Sequence, residues 1–86
     1  MPIICRFLGI IITVYYKEHG VPHFHAKYGE FGAVIAIETL KLIKGELPKR
    51  VLNLVVEWAF EHRDELLINW KLAREEEPLN LINPLT

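Results

Sequence analysis

The feature that most constrains this chain is a change of apolar period at Pro48. Before it, hydrophobic side chains recur every second residue; after it, they recur every third or fourth. A chain that reads strand first and helix afterwards is expected to segregate its layers, which places it in the α+β class. With 86 residues there is material for one core, so residues 1–86 are read as a single domain. Hydrophobic residues make up 51% of it, more than one small core covers, and the excess points to a homo-oligomer or a hetero-complex.

Charge narrows the partners. The net charge is −1, so no broad cationic surface for gripping nucleic acid is expected, and an RNA site would have to be a local patch. One cysteine, Cys5, has no second thiol to pair with, which fits a reducing, cytoplasmic setting. The uncharged run over residues 7–16 is about half the length of a membrane-crossing helix and reads as a buried strand. No membrane partner is expected, and the first residues lack the small-residue cleavage site of a secretory leader.

Residues 3–17 are dense in β-branched and aromatic side chains, with Ile10, Ile12, Val14 and Tyr16 sharing one face and both faces expected to be covered. Gly9 interrupts the run, at a bulge or a bend between two short strands. The polar segment around Gly20 and Pro22 should turn the chain into a second strand beginning at His23. A turn at residues 29–32 then leads to a strand over 33–38, with Ile35 and Ile37 on one side, and Leu40, Leu42 and Ile43 supply a short further strand. The expectation is a three- or four-stranded antiparallel meander within residues 3–44.

Pro48 suits the first turn of a helix, where its missing N–H would be unpaired anyway. Val51, Val55, Trp58 and His62 form one stripe, with Leu52 and Ala59 beside it, and Leu66, Trp70 and Ala73 form the next. A single helix over residues 48–76 would run roughly 43 Å at 1.5 Å per residue, too long for so small a domain. We therefore expect two helices, both within residues 48–76, broken near His62 to Asp64 with Asp64 as the new cap and both packed on one face of the sheet. His62 is expected to cap exposed carbonyls as a cation. Residues 78–86 form a tail lying on the sheet or reaching a neighbour.

Tyr15-Tyr16 and His19, then Pro22-His23-Phe24-His25 and Tyr28, Gly45-x-Leu47-Pro48, Glu57-Trp58, His62, Glu65-Leu66 and Asn69-Trp70, down to Ile82-x-Pro84-Leu85, resemble the small bacterial family catalogued as domain of unknown function 4160. The resemblance spans nearly the whole chain. It implies a compact α+β domain, often encoded beside a second small protein in a toxin–antitoxin-like pair, and it transfers no catalytic residue. Where relatives commonly carry a small turn residue after Glu38-Thr39, this chain has Leu40.

The chemistry-bearing motif is His23-Phe24-His25. In an extended chain, residues two apart point to one side, so both imidazoles stand on one face and Phe24 on the other. Such a pair suits a divalent metal such as zinc, which needs at least one more ligand. His19 is the nearest candidate, followed by Glu18, Glu30 and His62. Without metal, His23 and His25 would serve as the catalytic base and acid for RNA cleavage by its own 2′-hydroxyl. Arg6, Lys17 and Lys27 would then steady phosphate, and Tyr15, Tyr16, Tyr28 or Phe31 would stack on bases. The structural alternative is a pair of strand histidines whose nitrogens are held by the main chain.

Lys41, Lys44, Lys49 and Arg50 form a basic cluster around Gly45 to Pro48, suited to a phosphate or an acidic partner. Lys27 and Tyr28 beside the histidines are expected to contribute to the same kind of contact. The sequence therefore reads as an interaction module of a two-gene, toxin–antitoxin-like system with a His-x-His surface site. The competing reading is a small enzyme using the same histidines, a metal-independent ribonuclease or a metal-bound hydrolase.

Overall fold

The computed structural model describes residues 3–85. Five strands, β1 (Ile3–Phe7), β2 (Ile10–Thr13), β3 (His23–Tyr28), β4 (Phe31–Ala36) and β5 (Leu42–Glu46), precede two helices, α1 (Lys49–Glu61) and α2 (Arg63–Arg74). Every neighbouring pair of strands is antiparallel, and the spatial order follows the chain, β1-β2-β3-β4-β5. The α+β meander expected from the sequence is therefore present, with five strands instead of three or four and with the sheet ending at Glu46 instead of within residues 3–44.

The extra strand comes from the run over residues 3–17. Leu8 and Gly9 both take positive φ, 50° and 82°, and Phe7 pairs with Ile10. Two successive left-handed residues make the tight hairpin whose twist matches that of its strands, so the interruption at Gly9 is a complete reversal. β2 then stops at Thr13. Ile10, Ile12 and Val14 are buried as their spacing predicts, whereas Tyr16 lies beyond the strand and is exposed.

The helices pack mainly on one face of the sheet, and Trp70 of α2 also contacts His23 at the start of β3. Phe7, Ile10, Ile12, Phe24, Ala26 and Ile35 join Val51, Val55, Trp58, Leu66 and Trp70 in one hydrophobic cluster. The opposite face, expected to be covered, is an open groove of about 650 Å³ whose lining includes Ile11, Tyr15, His25, Lys27, Phe31 and Lys44.

The helix break falls where the apolar stripes require it, but with different capping. His62, not Asp64, occupies the junction, and Asp64 sits with Glu65 in the first turn of α2, where acids favour the helix dipole. His62 Nδ1 lies 2.5 Å from Glu65 Oε1, so it bonds forward to a carboxylate and does not cap carbonyls. The tail is pinned to the domain. The fully buried Asn69 side chain bonds both the N–H and the C=O of Asn80, Trp58 Nε1–H donates to Asn83 O, and Ile82 N–H donates to Ile4 O at 2.9 Å. That last bond lays the tail on the outer edge of β1.

Two backbone positions yield measurable consequences. Leu8 is 67% exposed and held at positive φ, a conformation that disfavours branched side chains and suits asparagine. Leu8→Asn is expected to raise the unfolding free energy by about 1 kcal/mol in urea titrations; an unchanged or lower midpoint would contradict the hairpin geometry. Gly45, at φ 79°, lies so close to β4 that an added Cβ would stand 2.1 Å from Gly32 O. Gly45→Ala is expected to lower stability by about 2 kcal/mol or more and to release amide protection across β5, read by hydrogen exchange.

Candidate functional site

The site begins with a strand start. Pro22 has no N–H to give, but its carbonyl accepts from Ile37 N, which fixes the entry into β3. From there, Phe24 enters the core against Trp58, with ring centroids 6.0 Å apart, while His23 and His25 face the other way as their spacing predicts. Their ring centroids are 5.4 Å apart.

Three contacts hold the His23 ring. Trp70 from α2 packs on it at 4.8 Å between centroids, Nδ1 lies 2.8 Å from Val21 O, and Nε2 lies 3.1 Å from Glu18 Oε1. A carbonyl only accepts, so Nδ1 carries the proton in the bond to Val21. His25 points Nε2 to the same Glu18 oxygen at 2.5 Å and meets the Tyr15 ring edge-on at 4.5 Å. Glu18 therefore closes the pair from the loop between β2 and β3. Its side chain and that of His25 keep 28% and 27% of their surface exposed, against 10% for His23, so solvent reaches the cluster from the His25 side.

Burial works against ionising Glu18. The hydrogen bonds from His25 and His23, reinforced by their charge, outweigh it and hold the carboxyl below its usual range.

The other sequence candidates separate. His19, expected as the third metal ligand, is exposed and stands outside the cluster; the neighbouring residue, Glu18, takes the place. In an irregular loop, alternation gives no means of deciding which of two consecutive residues turns inward, so only the chemistry of both could be noted from the sequence. His62 is engaged by Glu65 and packs on Trp58. Lys27 lines the open groove with His25. Tyr28, one residue further along the strand, packs with the core cluster on the opposite face, so these two residues do not form one contact surface. Lys49 and Arg50 are exposed in the first turn of α1 and do not line the groove with His25, whereas Lys44 on β5 does.

Chemically, the cluster is a carboxylate shared by two imidazoles, able to hold a proton or a cation between them. Because the folded state depresses the Glu18 pKa, this group adds stability above the usual value of 4.5, and the contribution is lost as pH falls through the folded value. In chelator-treated protein, stability should fall more steeply below about pH 4.5 in the parent than in Glu18→Gln. Superimposable acid limbs from urea unfolding would show that the histidines do not stabilise the carboxylate.

The family model Domain of unknown function (DUF4160) matches residues 9–71, a span that runs from the β1–β2 turn into α2 and contains Glu18, His23 and His25. The chain matches no curated protein and no solved structure.

Proposed function

Starting from the premise that the chain belongs to the DUF4160 family, we propose that it is the interaction module of a toxin–antitoxin-like pair and that its partner is a second small protein. The observation that carries this reading is the contrast between the two edges of the sheet. An edge strand offers unpaired N–H and C=O groups to any extended chain, and folds normally cover or blunt it. Here the tail lies on β1 through the Ile82–Ile4 bond, whereas all five residues of β5 are exposed. Leu42 and Ile43, 43% and 51% exposed, supply apolar contacts there.

Charge selects the occupant. Lys41 and Lys44 flank the apolar pair on β5, and Lys49 and Arg50 follow it at the start of α1. Glu46, also exposed on β5, leaves the edge net basic, so two copies of it repel on balance, whereas an acidic extended segment would be attracted and could add a strand by main-chain hydrogen bonds. The reading is of strand addition by an acidic segment of the partner.

Co-expression with the product of the adjacent gene should give a heteromeric complex by native mass spectrometry and size-exclusion chromatography. Ile43→Asp and Lys44→Glu, both on exposed side chains, should weaken it at least tenfold, about 1.4 kcal/mol. No complex, or a complex indifferent to both substitutions, would refute the reading.

A second reading has its own observation. The open face gathers His25, Lys27, Lys44, Tyr15 and Phe31 around one groove, an arrangement of cations and rings that suits single-stranded RNA. In that case His25→Ala would abolish RNA cleavage while Ile43→Asp would leave it intact.

A further inference from the structure

We propose that Glu18, His23 and His25 bind one divalent first-row transition cation of the zinc class, clamping the β2–β3 loop to β3. The argument starts from hydrogen-bond accounting. His23 Nδ1 must donate to Val21 O, so in the neutral ring Nε2 presents a lone pair. That lone pair faces Glu18 Oε1 at 3.1 Å, and an ionised carboxylate oxygen also only accepts. Two acceptors do not face one another across hydrogen-bond distance without a cation between them. A proton on either group meets the need, and so does a metal.

Nε2 of His25 reaches the same oxygen, so two imidazole nitrogens and one carboxylate converge, all three ligand atoms lying within 4.8 Å of one another. Imidazole and carboxylate together suit divalent zinc, iron, cobalt and nickel rather than calcium, which prefers oxygen alone. Around a tetrahedral ion with bonds of about 2.0–2.1 Å, ligand atoms stand roughly 3.3 Å apart. The His23–Glu18 distance of 3.1 Å is close to that already. The shorter His25–Glu18 contact, 2.5 Å, opens by a movement of Glu18, which sits on a loop and not in a strand.

The surroundings are those of a ligand set. The Val21 carbonyl on His23 Nδ1 is the kind of outer partner that fixes tautomer and ring direction in metal-bound histidine, and Trp70 packs the ring from the side. Three protein ligands leave a position for water or a substrate oxygen, and the partial exposure of Glu18 and His25 lets it be reached.

The test uses the full chain without a polyhistidine tag, stripped with chelator and dialysed. Titration with zinc chloride in a calorimeter should give one equivalent bound, and cobalt(II) should develop the visible d–d bands of a low-symmetry site. Because His23 is packed against Trp70, the decisive variants are Glu18→Ala and His25→Ala, whose side chains are partly exposed; near-ultraviolet circular dichroism verifies their fold. Each should weaken zinc at least 100-fold and lose the cobalt spectrum, while His19→Ala and His62→Ala bind as the parent does. Zinc should raise the Tm of the parent and leave that of Glu18→Ala unchanged. Absence of stoichiometric zinc in the folded parent, or equal affinity in Glu18→Ala and His25→Ala, would overturn the proposal. These outcomes are independent of the β5 edge, so either reading can fail alone.

Discussion

The structure depends on Trp58. This fully buried side chain packs on Phe7 of β1 at 5.7 Å and Phe24 of β3 at 6.0 Å between ring centroids, and Nε1–H reaches out to the Asn83 carbonyl at 2.8 Å. Sheet, helix and tail therefore meet at one indole. Burying an aromatic side chain of this size removes about 200 Å² from water, on the order of 5 kcal/mol as an upper figure. The hydrogen bond adds direction: without a partner the buried N–H would carry a desolvation penalty, and the tail supplies one. The tail then continues to Ile82, which bonds Ile4 and covers the β1 edge. Packing at the centre thus decides which edge of the sheet is left open.

Much of this was legible in the residues, and the reasons differ by element. The helical stripes were clear because α1 and α2 each bury a single face: Val51, Val55, Trp58 and Ala59, then Leu66, Trp70 and Ala73. The need for a split followed from length, and its place near His62 to Asp64 from reading Asp64 as a cap, although His62 occupies the junction. The hairpin at Leu8 was hidden because its first position carries leucine where a left-handed turn usually has asparagine or glycine, so only Gly9 signalled it. Leu40 is a similar case: at φ 59° it occupies a turn conformation that a small residue would adopt with less strain, and its partly buried side chain packs against the core. Period two correctly placed His23 and His25 on one side but carried no information about the loop, where Glu18 and His19 have equal spacing claims. The coverage of the sheet was misread because an apolar run on a strand does not reveal which of its faces receives the helices.

The cluster and the exposed edge are parts of one surface. Register places Thr13, His25, Val34 and Lys44 in a row across β2, β3, β4 and β5. Strands stand about 4.8 Å apart, so Lys44 lies roughly 10 Å from His25 and a strand added beyond β5 would lie about 14 Å from it. The intervening surface is the open groove, with Phe31 and Lys27 among its lining. A partner segment on β5 would therefore border the same groove that His25 lines.

That geometry gives the loop over residues 14–22 a mechanical role. Near its middle it is tied weakly by Lys17, whose Nζ stands 3.6 Å from Glu76 Oε1 with both side chains mostly exposed, and such a pair contributes little in water. The next residue, Glu18, ties it to two imidazoles, one of them packed on Trp70 and oriented by a main-chain carbonyl. The cation between His23 and Glu18, proton or metal, therefore ties the Glu18 segment to β3, while the Pro22 carbonyl, accepting from Ile37 N–H, ties the end of the loop separately. Without that cation His23 Nε2 would turn a lone pair toward the Glu18 carboxylate, and only a hydrogen bond from His25 would hold that side chain. The ionic cluster and the open face therefore share one side chain, His25, which bonds Glu18 and also lines the groove.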